Sequence, residues 1–158
     1  MSVKLSTRAR YAVMAMVDLA FLEAEKKVVS LQDIAERQEL PVAYLEQIFG
    51  KLRKGNLVLS CRGAQGGYTL ARASHTIRVS DVIYAVEPKI KTTRCENLTE
   101  RGCHSSGNQC LTHDLWESLG QTIHGFLSTV TLQDIVSGTT NKMDISSNNQ
   151  KMAKYHVL

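Results

Sequence analysis

Apolar residues recur at helical spacing from Ser6 to about Glu25, at Ala9, Ala12, Val13, Met16, Leu19 and Ala20. This predicts an opening amphipathic helix that Ser6 or Thr7 can cap. Val28-Val29 is long enough only for a short extended stretch. Ser30 then caps a predicted helix from Leu31 to Gln38, with Asp33 in its first turn and Leu31, Ile34 and Ala35 inward. After Glu39-Leu40, Pro41 opens a third helix, Val42 to about Lys54, with Leu45, Ile48, Phe49 and Leu52 on its buried side. Proline suits a helix start because its missing N–H would have no partner there. Gly55-Asn56 is a stop, with Gly55 expected as the left-handed cap.

The period then changes from helical to alternating. Leu57, Leu59 and Cys61 fall on the expected inward face, and Val58, Ser60 and Arg62 on the other. The stretch 63–67 (Gly-Ala-Gln-Gly-Gly) reads as a hairpin turn and Tyr68-Thr69-Leu70 as the returning strand. Ile77 to Val86 reads as a strand end and a short helix capped by Ser80. Two short helices around a tight turn, followed by a glycine-rich hairpin, describe a winged helix-turn-helix. Further on, Leu115, Trp116, Leu119, Ile123, Phe126, Leu127 and Val130 form a helical stripe over His113 to Val130. A small head cannot bury all of it, so the expected cover is a second copy in a two-fold dimer. Thr131 to Val136 reads as a short capped turn that clips back onto the body. The fold class is therefore mainly α with a small β-hairpin wing: a winged helix-turn-helix domain plus a long dimerisation helix. The boundaries are 1–90 for the head, 91–113 for a cysteine-bearing loop, 114–137 for the dimerisation helix and clip, and 138–158 for a polar tail expected to be disordered.

Composition narrows the class. The chain has 158 residues, 43% of them hydrophobic, which is too apolar for a wholly disordered protein. No apolar run reaches the roughly 20 residues of a membrane span. No secretory h-region opens the sequence, so a cytoplasmic protein without a membrane role is expected. The net charge of +4 lies entirely within residues 1–90, while residues 91–158 balance. From Lys51 to Arg72 there are five basic residues (Lys51, Arg53, Lys54, Arg62 and Arg72) and no acid. A field of that sign suits a phosphate backbone, although a solvated basic face would carry the same charges. The exposed side of the third helix offers Tyr44, Glu46, Gln47, Lys51, Arg53 and Lys54, and the wing offers Arg62, Gly66 and Gly67. Gln47 can bond adenine at two places and Glu46 can accept from cytosine, or both are simple surface residues. Lys51, Arg53 and Lys54 suit phosphates better than bases. In helix-turn-helix dimers two such helices sit one DNA turn apart, on a palindromic duplex.

Three of the four cysteines crowd into one polar stretch, as Cys95-x7-Cys103-x6-Cys110-x2-His113. Free cysteine is usually buried, so three in such a loop need a chemical reason. Disulfides rarely persist in the cytoplasm. Three thiolates and an imidazole make a four-donor metal set. Only Cys110-x2-His113 has the spacing of a zinc knuckle, and the looser remainder suits an iron–sulfur cluster, for which imidazole ligation raises the potential. Cluster, structural zinc and a metal-free loop all stay open on the residues alone. Cys61 lies on the expected inward strand face and is assigned to the core. The chain has no Cys-x-x-Cys, His-Glu-x-x-His or phosphate-binding glycine loop, which argues against an enzyme. A cluster carrier, or a DNA-binding protein stapled constitutively by zinc, are the other classes left.

The motifs Lys4-Leu-Ser-Thr, Arg10-Tyr-Ala-Val-Met-Ala-Met, Asp33-Ile-Ala-Glu-Arg-Gln, Tyr44-Leu-Glu-Gln-Ile-Phe, Arg62-Gly-x-x-Gly-Gly-Tyr, Cys110-Leu-Thr-His113 and Leu115-Trp116 carry a resemblance. Over about residues 3–136 the chain resembles the IscR family of iron–sulfur cluster-binding winged-helix transcriptional regulators. The resemblance implies a 2Fe–2S cluster on Cys95, Cys103, Cys110 and His113, a homodimer, and control of cluster-assembly genes as repressor or activator. It also implies cluster delivery machinery as a partner, Glu46 and Gln47 in the reading helix, and Arg62 in the wing. The cysteine gaps of seven and six exceed the five usual in that family. Arg10 stands where the nitric-oxide-sensing branch supplies an acidic or amide residue.

Overall fold

A computed structural model describes residues 5–25, 27–87 and 109–142. Helix α1 spans Thr7–Glu23, α2 Leu31–Gln38 and α3 Val42–Lys54. Strands β1 (Val58–Cys61) and β2 (Gly67–Leu70) form one antiparallel hairpin, with Val58 opposite Leu70 and Cys61 opposite Gly67. Helix α4 covers Val79–Val86, α5 His113–Thr129 and α6 Leu132–Val136. The expected fold class is the observed one, a mostly helical winged helix-turn-helix.

Helix α1 is the axis of the core. Its small residues Ala9, Ala12 and Ala15 are fully buried with Met16 and Leu19. Alanine on that face lets neighbouring backbones approach closely, and α2, α3, α4, α6 and β2 all pack on it. Ser6 caps α1 by accepting from the Ala9 N–H at 3.1 Å, and Ser30 caps α2 by accepting from the Asp33 N–H at 3.1 Å. The helix-turn-helix is fastened to α1 by Asp18, which is buried and accepts from Arg37 Nε of α2 at 2.9 and 3.0 Å. The same guanidinium lies 5.4 Å from the centre of the Phe21 ring.

The turn after α2 is made by Glu39, whose left-handed backbone (φ 53°) lets the Leu40 N–H return to the Ala35 carbonyl. After α3 the left-handed residue is Asn56 (φ 55°), not Gly55. Gly55 is small for another reason: a Cβ there would stand 3.0 Å from the Ala85 Cβ of α4. The Leu57 N–H then bonds back to the Leu52 carbonyl at 3.0 Å, so Leu57 still belongs to the helix cap. This moves the start of strand alternation by one residue and changes the faces. Leu57 and Val58 are both buried, while Leu59, expected inward, is 55% exposed. Cys61 is half-buried at the turn end of the hairpin, outside the core to which its pattern assigned it.

The wing is anchored at its other edge. Val29 pairs with Tyr68 through two backbone bonds of 3.0 and 2.8 Å, a single-residue bridge at the edge of the two-stranded sheet. The Tyr68 ring packs on Phe49 of α3 at 4.8 Å, and Glu23 of α1 accepts from the Leu70 N–H at 3.1 Å. Helix α4 begins at Val79, one residue before the expected cap Ser80, which is itself buried. Asp81 does the capping, accepting from the Arg78 N–H at 3.1 Å and from Arg72 Nη2 at 2.9 Å.

Beyond α5 the chain returns to the head. The Val79 N–H donates to the Val130 carbonyl at 2.9 Å and the Leu132 N–H to the Ile77 carbonyl at 3.0 Å. Thr131 and Asp134 cap α6 reciprocally. Residues Thr139–Lys142 add one 3-10 turn inside the range read as a disordered tail, because the Thr139 hydroxyl bonds the Asp134 carbonyl at 3.1 Å. The rest of that tail lies outside the described residues.

Two consequences can be measured. A Cβ at Gly67 would lie 2.2 Å from the Val29 carbonyl oxygen, so Gly67→Ala should lower stability by about 1–3 kcal/mol, the cost of overpacking. A shift of the urea midpoint at constant slope would register it. The second concerns acid. The Thr131 hydroxyl and N–H hold the Asp134 carboxyl below its ordinary value of 3.8. A lowered folded pKa gives stability that is complete above the ordinary value and is lost as pH falls through the folded one. Asp134→Asn should therefore flatten the decline in thermal midpoint below about pH 4 and leave its shape near neutrality unchanged.

Candidate functional site

The exposed polar and basic side of the head is built on α3. Its turn from α2 presents one face of α3 outward, and Glu46, Gln47, Arg53 and Lys54 are exposed there. Glu46, Gly50 and Arg53 fall on one helical row, and Gln47, Lys51 and Lys54 on the next. Tyr44 is half-buried, its ring edge-on to Tyr11 of α1 at 5.9 Å, which leaves only part of it for a ligand. Lys51 is also half-buried, and its Nζ donates to the Val86 carbonyl at 3.1 Å. Arg72, in the same basic stretch, is spent on Asp81. Three cations of that stretch therefore face solvent on the α3–wing side without an ion pair among the described residues: Arg53, Lys54 and Arg62.

Arg62 stands exposed at the start of the wing turn, followed by Gly63 at φ 125°, where only glycine is comfortable. Gly66 and Gly67 were candidates for close approach to DNA. Their lack of a side chain is required inside the protein: a Cβ on Gly66 would stand 2.8 Å from the Cys61 carbonyl, and one on Gly67 would strike Val29. They shape the wing, and Arg62 is the exposed cation at its turn.

The metal-donor set is divided. Cys95 and Cys103 lie outside the described residues. Cys110 and His113 are brought together by a turn in which the His113 N–H donates to the Cys110 carbonyl at 3.0 Å. Cys110 is half-buried, with its Sγ 3.6 Å from the Thr112 hydroxyl. That hydroxyl also accepts from Trp116 Nε1 at 3.1 Å, which fixes Trp116 against the turn. His113 is the first residue of α5 and only 4% exposed. Its Nε2 lies 3.7 Å from the Glu117 carboxylate one turn on. Donor atoms of His113, Asp114 and Glu117 fall within 4.8 Å of one another. A thiol and a buried imidazole in one rigid turn are the donor chemistry an iron–sulfur cluster or zinc takes, so the described half of the set fits such a group. Glu117 was not singled out from the sequence, although its i,i+4 spacing from His113 was the available signal.

The apolar stripe of α5 is left largely uncovered within one chain. Leu115 is 60% and Phe126 54% exposed, and Trp116, Leu119, Ile123 and Leu127 are half-buried. Val130 departs from the expected stripe. It lies past the end of α5 and is 3% exposed in the core of its own chain, drawn in by the backbone bond to Val79. No helix of the described residues is long and apolar enough to cross a membrane.

Comparison with known proteins agrees with this architecture. The Rrf2 family, described as "Iron-dependent Transcriptional regulator", matches residues 5–138. An HTH-type transcriptional regulator, ORF2 of Azotobacter vinelandii, is 51% identical over 134 residues, 85% of this chain and 79% of the relative. The HTH-type transcriptional regulator IscR of Photorhabdus laumondii is 45% identical over 134 residues, with the same shares of each chain. The solved structure of T. potens IscR has a TM-score of 0.70 at 38% identity, over 91% of this chain and 93% of that one. These relatives are transcriptional regulators and not enzymes, and the chain belongs to the Rrf2 family of transcriptional regulators.

Proposed function

We propose that this regulator is a cytoplasmic homodimer that reads a palindromic duplex and senses an iron–sulfur cluster, adjusting the transcription of cluster-assembly genes to cluster supply. The observation that carries the reading is the Cys110-x2-His113 turn, with a buried imidazole at the head of α5, in a chain similar to proteins named IscR. A 2Fe–2S cluster would be held by Cys95, Cys103, Cys110 and His113, loaded by the delivery machinery. When bound, it supplies an occupancy that depends on iron and sulfide.

The chain's own residues do the rest. His113 offers its imidazole from a fixed helix start, and Thr112 holds both Trp116 and the Cys110 turn in place. Ligation would tie the segment between α4 and α5 to the head of α5, the kind of event that biases a two-state element. Leu115, Trp116, Leu119, Ile123, Phe126 and Leu127 would seal two α5 helices together. Glu46 and Gln47 would meet base edges, while Arg53, Lys54 and Arg62 neutralise phosphates. A second reading, a constitutive zinc staple, draws on the closeness of Asp114 and Glu117 to His113. The domain limits 1–90, 91–113, 114–137 and 138–158 belong to the same proposal.

Protein purified anaerobically after growth with iron should show a visible charge-transfer spectrum and about two irons and two sulfides per chain. A colourless protein with stoichiometric zinc overturns the cluster. His113→Cys should retain the colour and lower the midpoint potential, since thiolate replaces imidazole. An unchanged potential removes His113 from the ligand set. On DNA, Arg62→Ala should weaken binding to all duplexes alike and reduce the slope of log K against log salt by about 1. An unchanged slope takes the wing off the phosphates.

A further inference from the structure

The sequence places Lys51 among the phosphate contacts, yet its geometry serves a different end. Lys51 sits in the last turn of α3, half-buried, with Nζ 3.1 Å from the carbonyl of Val86. Val86 is the last residue of α4 and is itself buried. The final carbonyls of a helix have no partner within it and carry the negative end of its dipole, so an ammonium there satisfies both needs. The two helices also touch where Gly55 meets Ala85, which leaves little room for α4 to move without α3.

The next residue, Glu87, is the last described one before the segment that carries Cys95 and Cys103. It is held as well: the Ser6 hydroxyl donates to its carboxylate, and the same oxygen of Ser6 caps α1. The point where the chain leaves the head for the cysteines is thus tied by one bond to the reading helix and by another to the start of α1. A phosphate-binding lysine would have to break the first of these to reach DNA.

We infer that Lys51 is a positioning residue, which links the α4 exit, and through it the state of the cysteine-bearing segment, to the placement of α3. The inference rests on the cluster-sensing reading above. Its charge acts on the α4 terminus and not on phosphate. A displacement of Val86 and Glu87 on ligation of the cysteines would reach, through Lys51, the helix bearing Glu46 and Gln47.

The test compares full-length wild type, Lys51→Met, Lys51→Arg and Glu87→Gln, each as cluster-loaded and chelator-stripped protein, on one palindromic duplex over a range of salt. Loading is checked by the visible spectrum, and folding by thermal midpoint. Wild type should differ in affinity between the two states. Lys51→Met should alter that ratio by roughly two- to thirtyfold, the span of such couplings, with its salt slope unchanged. Glu87→Gln should move the ratio in the same direction, and Lys51→Arg, which can still donate to Val86, should restore it. A Lys51→Met protein that loses affinity equally in both states, with a slope smaller by about 1, is missing a phosphate contact, and the inference falls. If Lys51→Met fails to fold, the ratio for Glu87→Gln decides: an unchanged value overturns the link. A wild-type ratio of one overturns the sensing reading together with the inference.

Discussion

Everything in this structure depends on the alanine face of α1. Ala9, Ala12 and Ala15 leave no side-chain volume between that helix and its neighbours, so α4 and α6 can share one axis with the helix-turn-helix. A larger residue at any of the three would have to displace a whole element, because the surrounding core is filled. The consequence is mechanical. The clip helix α6, which follows α5, and the α2–α3 helix-turn-helix are packed on the same rod. Val130 and Leu132 enter this core from the far end of α5, so that helix is anchored to the head it serves.

The helices were legible in the sequence because each carries its signals locally. Ser6, Ser30 and Thr131 cap where the pattern places them, and the bounds Leu31–Gln38 and Val42–Lys54 follow from Ser30, Pro41 and Gly55. The strand faces were less so. Whether Leu59 points in or out depends on where alternation starts, and that was set by a backbone bond from Leu57 to Leu52 that no side chain announces. Ser80 failed as a cap for a similar reason. The chain pairs with Val130, about fifty residues later, and this pairing starts α4 two residues early.

The candidate site was legible in its residue types and less so in their duties. Glycines at 66 and 67 look alike to a reader expecting a DNA-contacting loop, yet the nearest obstacles to a side chain are Cys61 and Val29 of the same protein. Lysine 51 looks like its neighbours Arg53 and Lys54 until the Val86 carbonyl is placed beside it. Glu117 has meaning only once His113 is known to be buried at a helix start. In each case the missing information is a partner distant in sequence or a burial that the tertiary structure decides. By contrast, the exposed stripe of α5 follows from periodicity alone, and one chain leaves it open.

These reassignments change the electrostatics of reading. Of five basic residues between Lys51 and Arg72, two are engaged inside the head, Lys51 with Val86 and Arg72 with Asp81. On the proposed reading Arg53, Lys54 and Arg62 would remain to displace counterions, and Glu46 on the same helix row as Arg53 would oppose them. Affinity for phosphate grows with each neutralised contact, and three per head is a modest set. A single head of this kind is poorly suited to hold DNA by charge. In the proposed dimer, two heads joined through α5 would double the set and make the second engagement intramolecular, which multiplies affinity without any new contact. That gain would be lost when the two α3 helices no longer matched the groove spacing. On the proposed reading, weak individual heads are what would make binding sensitive to their relative placement, whereas a head stronger in charge would bind whatever the α4 exit and the segment beyond it were doing.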